Sequence, residues 1–162
     1  MPAKNGLIKS KAEIEILSQG GKILREVLRK TAELVKSGIT TWELNEFAEK
    51  MIKDAGGVPS FKGYGGKKNP YPTGLCTSVN DEIVHGIPSK KKILKGGDII
   101  GLDIGMEYQG FFTDTAITVG VGGISEKAKK LIETCQKALN AAIKQAKPGN
   151  RKAGNRSSCE CN

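Results

Sequence analysis

The chain has 162 residues, of which 38% are hydrophobic and 27% are charged, and its formal net charge is +9. These values are typical of a single globular domain and argue against a disordered or fibrous chain. Because the lysines are scattered and only 5% of the residues are aromatic, the positive charge indicates a solvated basic surface rather than a specific nucleic-acid interface.

The N-terminal residues carry no targeting signal. Residues 1–11 lack the apolar segment of a signal peptide, and no apolar run approaches the length of a membrane span. The sequence therefore predicts a cytoplasmic protein whose four cysteines are free thiols. Cys159 and Cys161 are closely spaced, but no second Cys or His cluster completes a metal clip with them.

Two capping boxes predict the starts of two helices. Ser10 is followed by Glu13, and Thr40 is followed by Glu43, so each helix start satisfies its first backbone donors. The first helix is expected to end near Ser37-Gly38, where Gly suits the C-terminal cap. Its inner stripe is predicted to comprise Ile14, Leu17, Gly21, Leu24 and Leu28.

Strands are expected after the second helix, which should end near Ala55-Gly56. Glycines and prolines make the stretch from Gly56 to Gly74 irregular, with Phe61 and Tyr64 as its apolar anchors. Short strands are predicted at about Leu75–Val79 and Glu82–His85. Ser125 should then cap a last helix that Pro148-Gly149 stops. This order predicts an α+β fold, with helices covering one face of an antiparallel sheet.

Two aspartates in a predicted hairpin are the strongest chemical signal. A tight turn around Tyr108 and Gln109 would place Asp103 directly opposite Asp114, with Cβ atoms roughly 5 Å apart. Two like charges so close in largely buried strands would be costly without a proton or a cation between them. The pair therefore fits either a two-metal site or a solvated hairpin rim in which each carboxylate finds a backbone donor.

His85, the one histidine of the chain, lies between a strand-like run and a Gly/Pro turn. Such loops often carry function, although a lone histidine also serves as a structural hydrogen-bonding group. From about Ser10 to Asn150, the order of motifs resembles the type I methionine aminopeptidases, a family of metal-dependent pita-bread peptidases. The resemblance rests on Gly63-Tyr64, residues 76–82, His85-Gly86-Ile87-Pro88, residues 94–99, Asp103 and residues 110–115.

This resemblance implies that residues 1–150 are the N-terminal half of a pita-bread domain that removes N-terminal methionine from nascent proteins. Asp103 would bind one divalent metal ion and Asp114 would bridge two, with Co, Mn, Fe or Zn as the metal. His85 would hydrogen-bond the scissile amide. Phe61, Tyr64 and Cys76 would contact the methionine side chain, with an ordinary core role as the alternative for all three. The basic surface would favour proximity to the ribosome.

The family also draws one histidine and two glutamate ligands from its second half. Here Glu160 is the one acidic residue after Glu133, and residues 151–162 show no hydrophobic period. We therefore expect an unstructured tail, read out of frame under a frameshift hypothesis, and a chain that is inactive alone. The alternative is a non-catalytic binding module derived from the pita-bread fold, or a truncated remnant.

Overall fold

An antiparallel sheet of four strands dominates the part of the chain that the computed structural model describes, residues 8–150. The strands are β1 (Val58–Pro59), β2 (Leu75–Val79), β3 (Ile99–Tyr108) and β4 (Phe111–Gly120). β3 pairs with β1 and β2 along one edge and with β4 along the other. The chain divides into two compact units, with the boundary in the sequence between Gly123 and Ile124. All four strands belong to the first unit.

The two predicted capping boxes are present. α1 (Lys11–Glu33) begins after Ser10, whose hydroxyl accepts from the Glu13 N–H, and α2 (Thr41–Asp54) begins after Thr40 in the same way. α1 ends at Glu33, five residues before the predicted Gly38. Residues 34–39 leave the helix because the Gly38 N–H donates to the Leu94 carbonyl at 2.9 Å, which ties this connection to a neighbouring loop.

The core lies between these helices and one face of the sheet. Ile100, Leu102, Ile104 and Met106 alternate along β3 and are fully buried there. The predicted stripe of α1 was wrong at its N-terminal end, because Ile14 is 54% exposed. The observed stripe is Gly20, Leu24, Val27, Leu28 and Thr31.

Gly20 permits the close approach of α1 to the hairpin, whereas Gly21, which the predicted stripe included, does not contact it. A Cβ atom on Gly20 would lie 3.4 Å from the Tyr108 Cβ and 3.5 Å from a Thr113 methyl group, whereas one on Gly21 would meet nothing within 4 Å.

The hairpin register differs from the predicted one by two residues. Tyr108 pairs with Phe111, so Asp103 lies opposite Ala116 and Asp114 lies opposite Gly105. The turn residues are Gln109 and Gly110, both with positive φ (51° and 82°), as a two-residue type I′ turn requires. Our prediction of direct opposition was therefore wrong. Since side chains alternate with a period of two, both aspartates still share one face and are diagonal neighbours.

The predicted strand at Glu82–His85 was also wrong. These residues form an irregular loop, because the free edge of β2 is already engaged by the residue that follows them: the Thr77 N–H donates to the Gly86 carbonyl at 2.7 Å. The β2 prediction, Leu75–Val79, is confirmed.

The second unit contains α3 (Glu126–Gln145), which begins after the predicted cap Ser125. The α+β prediction is confirmed. Among the described residues, no helix is both long and apolar enough to cross a membrane. The predicted tail, residues 151–162, lies outside the described part of the chain.

Candidate functional site

The open face of the sheet carries the candidate site. On β3, Asp103 lies opposite Cys76 of β2 on one side and opposite Ala116 of β4 on the other. Asp114 lies two residues before Ala116 on β4, opposite Gly105. Side chains on this face point away from the core that Leu102 and Ile104 fill. The sheet therefore brings two carboxylates and a thiol together on its open side.

The two aspartates differ in environment. Asp103 is half-buried whereas Asp114 is exposed, so our prediction that both strands are largely buried was wrong for β4. Burial raises the pKa of Asp103, and the nearby Asp114 raises it further, while His85 opposes the shift. Burial likewise raises the pKa of the Cys76 thiol, which the Tyr71 hydroxyl partly offsets. Because burial and mutual repulsion make the two carboxylates costly to ionise together, a cation placed between them would stabilise the ionised pair.

His85 lies on a loop that packs against β2, and its side chain lines the pocket on the open face. Its φ of 57° is left-handed, a conformation that costs a non-glycine residue about 1–3 kcal/mol and is concentrated at functional sites. The next residue fixes it there: a Cβ on Gly86 would lie 2.2 Å from the Thr77 carbonyl oxygen. The Gly86 N–H donates to the Ser78 hydroxyl at 3.2 Å, and the Tyr71 hydroxyl donates to the Gly86 carbonyl at 3.2 Å.

Phe61 covers Gly105, the cross-strand partner of Asp114. The Ser60 N–H donates to the Gly105 carbonyl at 3.1 Å. A Cβ on Gly105 would lie only 2.6 Å from Cε1 of the Phe61 ring. Because Gly105 has no side chain, the Phe61 ring can pack beside the strand position of Asp114.

A pocket of about 610 Å³ opens between these elements. Of the six residues that the sequence singled out, five line it: Phe61, Tyr64, Cys76, His85 and Asp114. Asp103 lies beside the pocket through its contact with Asp114 and does not form its wall. Tyr64 is 79% exposed, which places it at the rim and excludes the role of buried loop anchor.

Sequence reasoning missed several apolar parts of the wall, among them Phe112, Tyr71, Pro72 and Ile87. Phe112 lies two residues before Asp114, so strand alternation places both on one face and could have identified it. Tyr71, Pro72 and Ile87 carried no such signal, because loops position them. The pocket is thus a mainly apolar cleft whose lining includes an imidazole and a carboxylate.

The metal ligands within residues 8–150 are incomplete. Asp103 and Asp114 provide adjacent carboxylate oxygens, which suit a divalent cation such as Mn²⁺. No group of three or more His, Cys, Asp and Glu side chains in the described part of the chain is arranged to hold a metal ion. The pair therefore fits one part of a metal site, and the described residues add no third ligand.

Comparison with known proteins decides the family. Residues 15–155 match the model of metallopeptidase family M24. The chain belongs to this family. It is 43% identical over 145 residues to a methionine aminopeptidase of Clostridium acetobutylicum and 44% identical over 147 residues to one of Aquifex aeolicus. These matches cover 90% and 88% of this chain but only 56% of each relative.

The fold agrees with this assignment. The structure of methionine aminopeptidase from Thermotoga maritima superimposes with a TM-score of 0.88 at 38% identity, covering 93% of this chain and 59% of that one. The described architecture is thus that of a pita-bread M24 protein over about three-fifths of its length. The chain spans about half the length of the curated relatives that it matches.

Proposed function

We propose that this chain carries part of a metal-dependent methionine aminopeptidase that removes N-terminal methionine from nascent proteins in the cytoplasm. The observation that carries this proposal is the apolar cleft, whose lining includes the His85 imidazole and the Asp114 carboxylate, with Asp103 beside it. An apolar slot accepts a thioether side chain, and the polar groups accept the peptide's terminus. The names of the relatives support the same reaction.

Asp103 and Asp114 would hold a divalent metal ion, Co, Mn, Fe or Zn, in the complete site. Bound there, the metal would supply a coordinated water of lowered pKa and polarise the scissile carbonyl. Asp103 is the less solvated of the two aspartates, so it fixes the position of the cation. Asp114, opposite the glycine under Phe61, faces the cleft.

The remaining residues orient the peptide. Phe61 and Cys76 line the cleft and Tyr64 stands at its rim, where the three would enclose the methionine side chain. His85 would donate a hydrogen bond to the scissile amide and stabilise the developing charge on it. Its loop is fixed to β2 by the hydrogen bonds of Gly86, so the imidazole is held in place before substrate arrives.

The sparse ligand set supports a second candidate, a non-catalytic binding module or a remnant of the enzyme. Two carboxylates hold one ion weakly and do not fix two. We therefore expect negligible release of methionine by the chain alone. We also infer, from its basic surface, that it works near the ribosome without binding a specific nucleic-acid sequence.

A chimera tests the proposal. The chain through Asn150 would be joined to the part of the Clostridium acetobutylicum relative that it does not match, and methionine release from a Met-Ala-Ser peptide would be followed with Mn²⁺ or Co²⁺. We expect activity that Asp103→Ala and Asp114→Ala abolish together with metal binding, and that His85→Ala lowers while the metal stays bound. Asp54→Ala, on an exposed part of α2, is the matched control.

A folded, metal-loaded chimera without activity would contradict the proposed function. Robust turnover by the chain alone, abolished by Asp103→Ala, would instead contradict the inference that these residues form an incomplete site.

A further inference from the structure

A buried carboxylate behind the pocket connects its two walls. Glu49 of α2 is only 7% exposed and lies one helical turn after Asn45. Its carboxylate accepts hydrogen bonds from the Asn45 amide at 3.1 Å and from the Gly74 N–H at 3.0 Å. Asn45 in turn accepts from the N–H groups of Gly74 and Leu75, both at 3.1 Å. α2 thereby holds the first residues of β2.

The same carboxylate also holds a second wall, whose backbone bonds to the first: the Gly63 N–H donates to the Tyr71 carbonyl at 2.8 Å and the Tyr71 N–H to the Tyr64 carbonyl at 2.7 Å. Lys62 donates to both oxygens of Glu49, at 3.1 and 2.8 Å. Its neighbour Phe61 covers Gly105, and the Tyr64 N–H donates to the Phe61 carbonyl at 3.0 Å. The two oxygens of one side chain therefore fix the loop that carries the aromatic wall.

Close packing leaves this connection little freedom. A Cβ on Gly74 would lie 2.8 Å from Cγ of Glu49 and 2.8 Å from Cβ of Pro59. The backbone at position 74 therefore rests directly on the Glu49 side chain. Two residues further along, Cys76 enters the pocket, and Tyr71 and Pro72 line it just before.

We propose that Glu49 is a positioning residue that fixes the Phe61–Tyr64 wall and the Tyr71–Cys76 wall, which also bond directly through Gly63 and Tyr71, to one carboxylate of α2. This rests on the proposed function for the identity of the ligand, the side chain of an N-terminal methionine. Glu49 itself touches no pocket surface. Its effect on binding passes through Lys62 on one side and through the Gly74 N–H on the other.

The two side chains of this contact, Glu49 and Lys62, differ in exposure. Variants at the two positions can therefore distinguish an effect on pocket geometry from an effect on the stability of the fold. Glu49 is buried, so its removal also weakens the fold. The Lys62 side chain is 52% exposed, so Lys62→Ala creates no core cavity and leaves Glu49 its Asn45 and Gly74 donors. Lys62→Ala should therefore loosen the aromatic wall at a smaller cost in unfolding free energy than Glu49→Ala.

Fluorine NMR of the full chain labelled with 3-fluorotyrosine observes both walls at once. The chain has three tyrosines: Tyr64 on one wall, Tyr71 on the other, and Tyr108 against α1, where it serves as an internal control. Met-Ala dipeptide is the probe, titrated with and without Zn²⁺. The variants are Glu49→Ala, Lys62→Ala and Lys62→Arg, with Lys50→Ala as matched control, because Lys50 pairs with Asp54 on an exposed part of α2.

We expect Lys62→Ala to shift and broaden the Tyr64 signal, and Glu49→Ala to move Tyr64 and Tyr71, with Tyr108 unchanged in both. Met-Ala affinity should fall about tenfold in Lys62→Ala, the equivalent of about 1.4 kcal/mol for one charge-assisted hydrogen bond. Lys62→Arg should restore the signal and the affinity, and Lys50→Ala should match the wild type.

The proposal is overturned if Lys62→Ala leaves Tyr64 and Tyr71 at their wild-type positions, or if Glu49→Ala moves all three tyrosines equally. The proposed function fails separately, if Met-Ala moves neither pocket tyrosine of the wild type with or without Zn²⁺. In that case the signals of the ligand-free variants still decide whether Glu49 positions the walls.

Discussion

The two faces of the β3–β4 hairpin are built from alternate residues of the same strands, yet they have different compositions. On the covered face, Leu102 and Ile104 are fully buried beneath the helices. On the open face, Asp103 alternates with Gly101 and Gly105, and Asp114 is exposed. Between Ile100 and Met106 of β3, the covered face has an apolar side chain at every position, whereas the open face combines absent side chains with charge.

This difference shows how one strand serves two purposes. The covered face supplies the apolar burial that holds the hairpin rigid. The open face uses that rigidity to keep two carboxylates close, an arrangement that is unfavourable without a cation. Substitutions at adjacent positions of β3 should therefore change different properties.

The largest effect is expected on the covered face. Leu102→Ala should lower the free energy of unfolding by about 3 kcal/mol, because it leaves a cavity in a fully buried site. Asp103→Ala, one residue away, should lower it by less than about 1 kcal/mol. Urea denaturation followed by circular dichroism measures both, and equal losses would show that the two faces share one role.

Glycines on the open face should differ sharply from each other. Gly105→Ala should cost about 2 kcal/mol, since its Cβ would lie 2.4 Å from the Ser60 hydroxyl and 2.6 Å from the Phe61 ring. Gly101→Ala is the matched control on the same strand, because its Cβ would meet its nearest atom, the Ser78 carbonyl oxygen, at an ordinary 3.7 Å.

Thermal unfolding of the two glycine variants checks this difference. Gly101→Ala should be nearly neutral. If both variants melt at the same temperature, the pocket wall tolerates displacement and Phe61 is not fixed over Gly105.

Acid should weaken the contact behind the pocket. Burial opposes ionisation of Glu49, but Lys62, Asn45 and the Gly74 N–H outweigh it and hold its pKa below the ordinary value of 4.5. Because the folded-state pKa is depressed, this stabilisation is present above the ordinary pKa and is lost as the pH falls through the folded-state value.

Glu49→Gln should therefore flatten the fall in unfolding free energy between about pH 5 and about pH 3. The exposed Asp54→Asn variant should follow the wild type over that range. A wild-type slope in Glu49→Gln would show that another group is responsible for the acid sensitivity.

How far the sequence determined these features depends on the kind of signal. The capping boxes at Ser10 and Thr40 and the cap at Ser125 were readable because they are local hydrogen-bonding patterns. The shared face of Asp103 and Asp114 was also readable, since an error of two residues in register preserves it. The register itself could not be predicted, because the sequence did not show whether Tyr108 belongs to the turn or to the strand.

Tertiary contacts explain what the sequence did not reveal. The loop at Glu82–His85 had the composition of a strand, but Gly86 occupies the edge of β2 and keeps those residues out of the sheet. The Glu49–Lys62 contact joins residues that are 13 positions apart in different elements. No periodicity marks such a pair.

The smallest stability effect is expected at the carboxylate pair itself. Asp103→Asn should raise the metal-free unfolding free energy by about 0.5 kcal/mol, because it removes one of two neighbouring negative charges. Chemical denaturation in the presence of EDTA is the measurement. A clear loss of stability would mean that the Asp103 carboxylate is held by favourable hydrogen bonds and is no cation site.

Binding of Mn²⁺, counted by the EPR signal of the free ion, tests the central claim most directly. We predict that the wild-type chain binds about one Mn²⁺ weakly and that Asp103→Asn and Asp114→Asn each abolish this binding. Asp54→Asn should leave it unchanged. Equal Mn²⁺ binding by the wild type and both site variants would contradict the assignment of the open face as the metal-binding part of the site.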